Sequence, residues 1–90
     1  MTIDPEKSLL EFPCDLPIKV FGRNDARFRS AAFEIVQAHY AEVGTEDVGE
    51  QLSRRGSYLS LTFNVRASSR EQVDALYREL TANEEILMVL

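Results

Sequence analysis

The chain has 90 residues and a formal net charge of −5, with 44% hydrophobic and 28% charged residues. These values fit one folded domain and exclude a multidomain enzyme, a collagen-like chain and a disordered chain. The single cysteine excludes an intrachain disulfide, and the N-terminus lacks the apolar run of a signal peptide, so we expect a cytoplasmic protein.

The first part of the chain predicts an arm, a short apolar segment and a strand. Residues 1–8 are polar and contain a proline, which is typical of a flexible arm. Leu9, Leu10 and Phe12 are expected to pack against the body of a single domain that spans residues 9–90. Residues 16–21 alternate between the two faces of a strand, and Pro17 is expected at the start of that strand because proline has no backbone donor.

A helix is predicted over residues 26–42. Asn24 or Asp25 can accept the free amide hydrogens at its start, and Gly44 follows where a helix commonly ends. At helical spacing, one stripe contains Phe28, Ala32, Ile35 and His39.

The sequence predicts a hairpin, whose two strands are residues 47–54 and 58–66 and are joined by a turn. The second strand alternates strictly, and its inward row is predicted to be Leu59, Leu61, Phe63 and Val65. A strand this amphipathic needs a pairing partner, and the preceding segment is the nearest one.

A second helix and a last strand complete the chain. Ser68 with Glu71, or Ser69 with Gln72, matches the capping box that opens a helix. Residues 86–90 are all apolar, far too few to span a membrane, and predict a strand. The inward side chains of this strand are predicted to be Ile86, Met88 and Leu90.

The predicted order of elements is β-α-β-β-α-β. Two helices on one face of a four-stranded antiparallel sheet is the economical packing for that order, in the α+β class. The split βαβ rule makes it a ferredoxin-like sandwich with the first and third strands in the centre of the sheet.

Six short motifs occur in one order along nearly the whole chain, over about residues 8–90. They are Leu9-Leu10-Glu11-Phe12-Pro13, Lys19-Val20-x-Gly22, Val36-Gln37-x-His39, Gly56-x-Tyr58, Glu71-Gln72-Val73-x-x-Leu76-Tyr77-x-Glu79-Leu80 and Met88-Val89-Leu90. Together they resemble the YbeD-like family of small bacterial cytoplasmic proteins.

The resemblance implies a ferredoxin-like fold similar to the ACT regulatory domains of amino-acid-metabolism enzymes. It implies no activity, because members of the family are of unknown function and have no established catalytic residues. Their genes often lie beside genes for lipoate attachment, which implies a role near lipoate metabolism. A fold alone does not supply a function.

The first functional hypothesis is a small non-catalytic regulatory or adaptor domain that binds a protein partner or a second copy of itself. It rests on the missing catalytic constellation and on the last strand, where Leu87 and Val89 would form an association edge. Arg54 and Arg55, with Tyr58, form a candidate contact for an anion or an acidic partner at the hairpin turn.

The alternative is an ACT-like sensor of a small metabolite. Gly22, Arg23 and Asn24 form the loop between the first strand and the first helix. Backbone amides at such a loop, together with the helix N-terminus, can receive an anion.

Neither an enzyme nor a nucleic-acid-binding protein is expected. His39 lies in the helix stripe near the helix C-terminus, where we expect a packed or half-packed side chain that bonds a backbone carbonyl or assists the helix end. Cys14 lies beside Asp15, which disfavours the thiolate. One histidine and one cysteine do not make a usual zinc site, so no metal or cofactor is expected. The outward row of residues 58–66 has a single aromatic side chain, Tyr58, to which Phe21 of the first strand could add a second for stacking RNA bases. The acidic balance opposes RNA binding.

Overall fold

A computed structural model of the protein describes residues 11–90, which form one sheet and two helices. The elements are β1 (Cys14–Arg23), α1 (Ala26–His39), β2 (Val48–Leu52), β3 (Tyr58–Ala67), α2 (Arg70–Ala82) and β4 (Met88–Val89), with a 3-10 turn at Thr45–Asp47. The sheet is antiparallel, in the order β2-β3-β1-β4. This confirms the predicted ferredoxin-like α+β sandwich, with β1 and β3 central.

The core lies between the helices and one face of the sheet. The predicted inward row of β3 is confirmed, since all four of its side chains are fully buried. Both helices bury apolar side chains against that row, and the ring of Phe33 meets the ring of Phe63 edge-on, with 5.2 Å between centroids. Phe12 packs against this core as predicted, whereas Leu9, Leu10 and the predicted arm at residues 1–8 lie outside the described residues.

β1 is longer than predicted, and Pro17 lies inside it, opposite Asn64. The prediction that Pro17 starts the strand is therefore wrong. Lys19 exchanges two backbone hydrogen bonds with Leu90, so the odd-numbered residues of β1 direct their amides towards the β4 side. On the β4 side of β1, the described chain ends at Leu90, which pairs with Lys19. Pro17 has no described strand beside it on that side, so its missing amide hydrogen removes no ladder hydrogen bond.

α1 ends at His39, three residues before the predicted end. The amide of Tyr40 still donates to the carbonyl of Val36, at 2.8 Å, but its backbone is no longer helical. The chain turns there because Tyr40 and Val43 both enter the core. Tertiary burial thus overrides a helical pattern that continues in the sequence.

α2 begins with the second of the two predicted capping arrangements. The hydroxyl of Ser69 accepts from the amide of Gln72 at 3.2 Å, and the side-chain oxygen of Gln72 accepts from the amide of Ser68 at 2.8 Å. Two free amides at the start of α2 are thereby satisfied.

β4 is shorter than predicted, and the side chains of residues 88–90 point the opposite way to the prediction, whereas Ile86 is buried and Leu87 exposed as predicted. Val89 lies opposite Val20 and packs against the core, whereas Met88 lies opposite Phe21 on the uncovered face. Leu90 follows Met88 on that face. The prediction that Met88 and Leu90 point inward is therefore wrong, because the strand starts only after an irregular turn at residues 83–87.

Candidate functional site

The structure brings two separately predicted groups of residues together at one end of the sheet. Arg23, in the last position of β1, lies opposite Tyr58, in the first position of β3. The amide of Asn24 donates to the carbonyl of Ser57, and its side-chain nitrogen donates to the carbonyl of Gly56, both at 3.0 Å. The loop after β1 and the β2–β3 turn therefore form one continuous surface.

The β2–β3 turn is held in place by hydrogen bonds within it. The amide of Gly56 donates to the carbonyl of Ser53 at 2.9 Å, and the hydroxyl of Ser53 accepts from the amide of Tyr58 at 3.1 Å. Gly56 has a φ of +77°, a conformation that favours glycine. Arg54 and Arg55 are exposed at the tip of this fixed turn.

Gly22 is required for packing against α1. A Cβ at this position would lie 2.1 Å from a ring carbon of Phe28, which is fully buried. The start of α1 is occupied by Asp25, whose carboxylate accepts from the amide of Phe28 at 2.9 Å. The chain itself therefore uses the space at Gly22 and the helix N-terminus, and binding of a metabolite at Gly22, Arg23 and Asn24 stays a prediction.

An apolar patch lies on the outer face, the face of the sheet that no helix of the described chain covers. We call Phe21, Tyr58, Met88 and Leu90 the open-face patch. Tyr58 is 47% exposed, Met88 49% and Leu90 63%, while Phe21 is half-buried between them. A shallow depression beside Phe21 is lined by Lys19, Gln51, Leu52, Tyr58 and Ser60.

The predicted association edge is divided between two environments. Leu87 is 56% exposed just before β4, and its amide donates to the carbonyl of Phe21 at 2.8 Å. Val89 faces the helices and is partly buried against the core. The exposed apolar side chains at the C-terminus are therefore Leu87, Met88 and Leu90.

Cations surround the open-face patch. Lys19 lies opposite Leu90, and the guanidinium of Arg23 lies 6.0 Å from the centroid of the Tyr58 ring, a cation–π distance. Among residues 11–90, no ion pair joins Lys19, Arg23, Arg54 or Arg55 to a carboxylate. These charges are therefore available to a partner.

Arg66 lies away from this patch. It is at the opposite end of β3 and forms an ion pair with Asp15 at 3.2 Å. On the helix-covered side, Arg29 binds Glu50 at 2.6 Å. The hydrogen bond from Arg29 lowers the pKa of Glu50, and the same contact raises the pKa of Arg29.

His39 and Cys14 do not form a catalytic pair in their described contacts. His39 is half-buried in the last turn of α1, and its Nε2 atom lies 2.7 Å from a carboxylate oxygen of Glu79, so the ring links α1 to α2. Cys14 is a half-buried free thiol opposite Ala67. No group of three or more His, Cys, Asp or Glu side chains within residues 11–90 is placed to hold a metal ion.

Two tyrosines have a raised pKa, mainly because burial disfavours the phenolate: Tyr40 and Tyr77. Tyr40 is 1% exposed, and its hydroxyl has no hydrogen-bond partner within the described part of the chain. Such a group destabilises the fold slightly and does not by itself form a site.

Sequence reasoning missed the open-face patch because it depends on the side-chain alternation of β4. A run of five apolar residues carries no alternation, so the sequence offers no signal for which of them face outward. The junction of the two loops could have been found, because an antiparallel pairing of central strands puts the end of β1 beside the start of β3.

No helix within residues 11–90 is long and apolar enough to cross a membrane.

Comparison with protein-family models matches residues 7–90 to a family described as "Protein of unknown function (DUF493)". A UPF0250 protein from Bordetella pertussis is 43% identical over 98% of this chain and 97% of its own length. A UPF0250 protein from Ralstonia nicotianae is 45% identical over 96% of this chain and 89% of its own.

Solved structures share the fold. The solution structure of protein HP0495 from H. pylori superposes with a TM-score of 0.76 at 13% identity, covering 100% of this chain and 94% of that chain. An uncharacterized protein from Thermotoga maritima superposes with a TM-score of 0.63 at 6% identity, covering 84% and 92%. By sequence, the chain belongs to the UPF0250 (DUF493) family of small bacterial proteins of unknown function, the family of the YbeD-like proteins that its motifs resemble.

Proposed function

We propose that this protein is a small non-catalytic regulatory or adaptor domain that binds another protein through the outer face of its sheet. The observation that carries the proposal is the open-face patch, in which three large apolar side chains are about half exposed or more on one face. Contiguous exposed apolar surface with a polar rim is typical of an interaction site.

The geometry supports a binding function better than a catalytic one. The patch lies on two central strands and on β4, so its backbone is fixed by ladder hydrogen bonds before a partner arrives. A preorganised surface loses little conformational entropy on binding. By contrast, the one histidine is held by Glu79, and no described cluster supplies a nucleophile with a base beside it.

The family resemblance suggests which proteins are the first candidate partners. The gene neighbourhood of the family makes proteins of lipoate attachment in the cytoplasm the first candidates. Self-association through the same face is the other form of this proposal, because a second copy would also cover the exposed apolar side chains. The two forms differ in whether the cross-linked partner is this chain.

A photo-activated cross-linking amino acid placed at Met88 tests the proposal in living cells. The matched control carries the same amino acid at Glu34, which is exposed on the helix layer. We expect a discrete cross-linked product from position 88 and none from position 34. No product at position 88, or equal products from both positions, would overturn the proposal.

A further inference from the structure

The charges of this acidic protein are segregated between its two sides. The outer face and the β2–β3 turn carry five basic side chains and one acidic side chain. These are Lys19, Arg23, Arg54, Arg55 and Arg66, with Asp15. The other described residues carry four basic and twelve acidic side chains. The sign of the outer face is therefore opposite to that of the molecule as a whole.

Four of these five cations are gathered at the end of the sheet that holds the open-face patch. The ladder places Lys19 beside Leu90 and Arg23 beside Tyr58, and the fixed turn presents Arg54 and Arg55 next to Tyr58. Within residues 11–90 these four form no ion pair. Apolar and positive surface are thus combined within one patch.

We propose that the outer face is a docking site for an acidic protein segment that carries apolar side chains between its carboxylates. This inference rests on the proposed function and adds the chemistry of the partner. The apolar side chains would cover Met88 and Leu90, and the carboxylates would meet Arg23, Arg54 and Arg55 in charge-assisted hydrogen bonds. Charge complementarity of this kind steers the encounter and selects the partner.

Two other occupants fit the surface less well. An RNA strand needs open aromatic faces for stacking. The Tyr58 ring already has Arg23 at cation–π distance, Phe21 is half-buried, and Met88 and Leu90 cannot stack. A second copy could present its acidic helix layer to this face. That contact would join unlike surfaces and would propagate from copy to copy without closing.

Three defined probes test the inference by amide NMR shifts of the labelled full chain. The first is a peptide of about twelve residues that alternates Leu and Glu, the second replaces every Glu by Lys, and the third is an oligouridine of about the same length. We expect shifts with the acidic peptide only, at residues 19–23, 54–60 and 88–90. The affinity should fall as salt is raised from ~0.05 M to ~0.5 M.

Two charge-reversed variants localise the effect. R54E/R55E reverses the turn, and R27E/R78E makes the same change of net charge on the exposed helix layer. We expect R54E/R55E to weaken the acidic peptide about tenfold, and R27E/R78E to weaken it far less. The amide spectra of the free variants verify that both fold.

Several results would overturn the inference. These are no shift with the acidic peptide, equal weakening by the two variants, binding of the oligouridine in place of the acidic peptide, or shifts that depend only on protein concentration. If cross-linking at Met88 still yields a product when the acidic peptide fails, the proposed function stands and only the acidic partner is wrong. If no product forms at Met88, both fail.

Discussion

Gly22→Ala is the substitution for which the structure predicts the largest effect on stability at the candidate site. The added Cβ would lie 2.1 Å from one ring carbon of Phe28 and 2.5 Å from two others. Ordinary carbon contacts are about 3.5 Å, so the ring would have to move by about 1.4 Å. Phe28 is fully buried on the sheet-facing side of α1, and protein interiors are packed too closely to give a ring that much room.

We expect Gly22→Ala to lower the free energy of unfolding by about 2–3 kcal/mol, the upper part of the ~1–3 kcal/mol that overpacking a core usually costs. For a domain of this size that loss corresponds to a fall in Tm of roughly 10–20 °C. The chain has no tryptophan, so urea unfolding is best followed by far-UV circular dichroism.

Gly49→Ala is the matched control. A Cβ at Gly49 meets only the Cβ of Thr62, at 3.8 Å, which is ordinary contact. Replacing this glycine should change stability by less than about 1 kcal/mol, because reduced entropy of the unfolded chain offsets small losses.

A double-mutant cycle with Phe28→Leu tests the cause directly. Leucine keeps Cγ and its two Cδ atoms but lacks Cε1 and the rigid ring, and its smaller end can rotate away from the new Cβ. Gly22→Ala should therefore cost about 1 kcal/mol less in that background. A Gly22→Ala variant as stable as the Gly49→Ala control would refute the packing argument. The predicted metabolite loop would then be the remaining explanation for a glycine at position 22.

Three further predictions concern side-chain contacts. Arg29 lowers the pKa of Glu50 in the folded protein, so the ion pair stabilises the fold above the ordinary pKa of 4.5, and this stabilisation is lost as the pH falls through the folded pKa. Glu50→Gln should therefore remove part of the loss of stability in acid. Urea unfolding midpoints at neutral and acidic pH measure the difference. Tyr40→Phe should leave stability unchanged or raise it by up to about 1 kcal/mol, because it removes a buried hydroxyl without a described partner; thermal unfolding that shows a clear loss would contradict this. Glu79→Gln should cost less than about 1 kcal/mol in urea unfolding, because the contact with His39 is partly exposed.

The fold was predictable because several levels of the sequence agree with one another. The strict alternation of residues 58–66 predicts β3, and the two capping residues Asp25 and Ser69 start the two helices as expected. With these elements placed, the order of strands follows from general rules of connection.

Element ends and side-chain directions were harder to predict because they depend on tertiary contacts. α1 ends before Tyr40 because the Tyr40 side chain is buried in the core. Pro17 is tolerated inside β1 because β4 pairs with β1 only further along the strand, which the sequence does not reveal. The outward direction of Met88 depends on an irregular turn that a uniformly apolar run does not reveal. The candidate site has the same limit. Arg23, Arg54, Arg55 and Tyr58 were predicted as site residues, whereas Lys19, Phe21, Met88 and Leu90 were not.

The affinity of the cross-linked partner for two aspartate variants tests the central claim most directly. Met88→Asp puts a carboxylate into the open-face patch, and Ala38→Asp makes the same kind of change at an exposed position of α1. Both positions are exposed, so each change should cost no more than about 1 kcal/mol of stability, which for Ala38→Asp is mostly lost helix propensity. We predict that Met88→Asp weakens binding at least about tenfold, because it places like charge against an acidic segment and removes apolar contact, while Ala38→Asp leaves binding unchanged. Unchanged binding in Met88→Asp, or equal loss in both variants, would contradict the claim that the outer sheet face is the interaction surface.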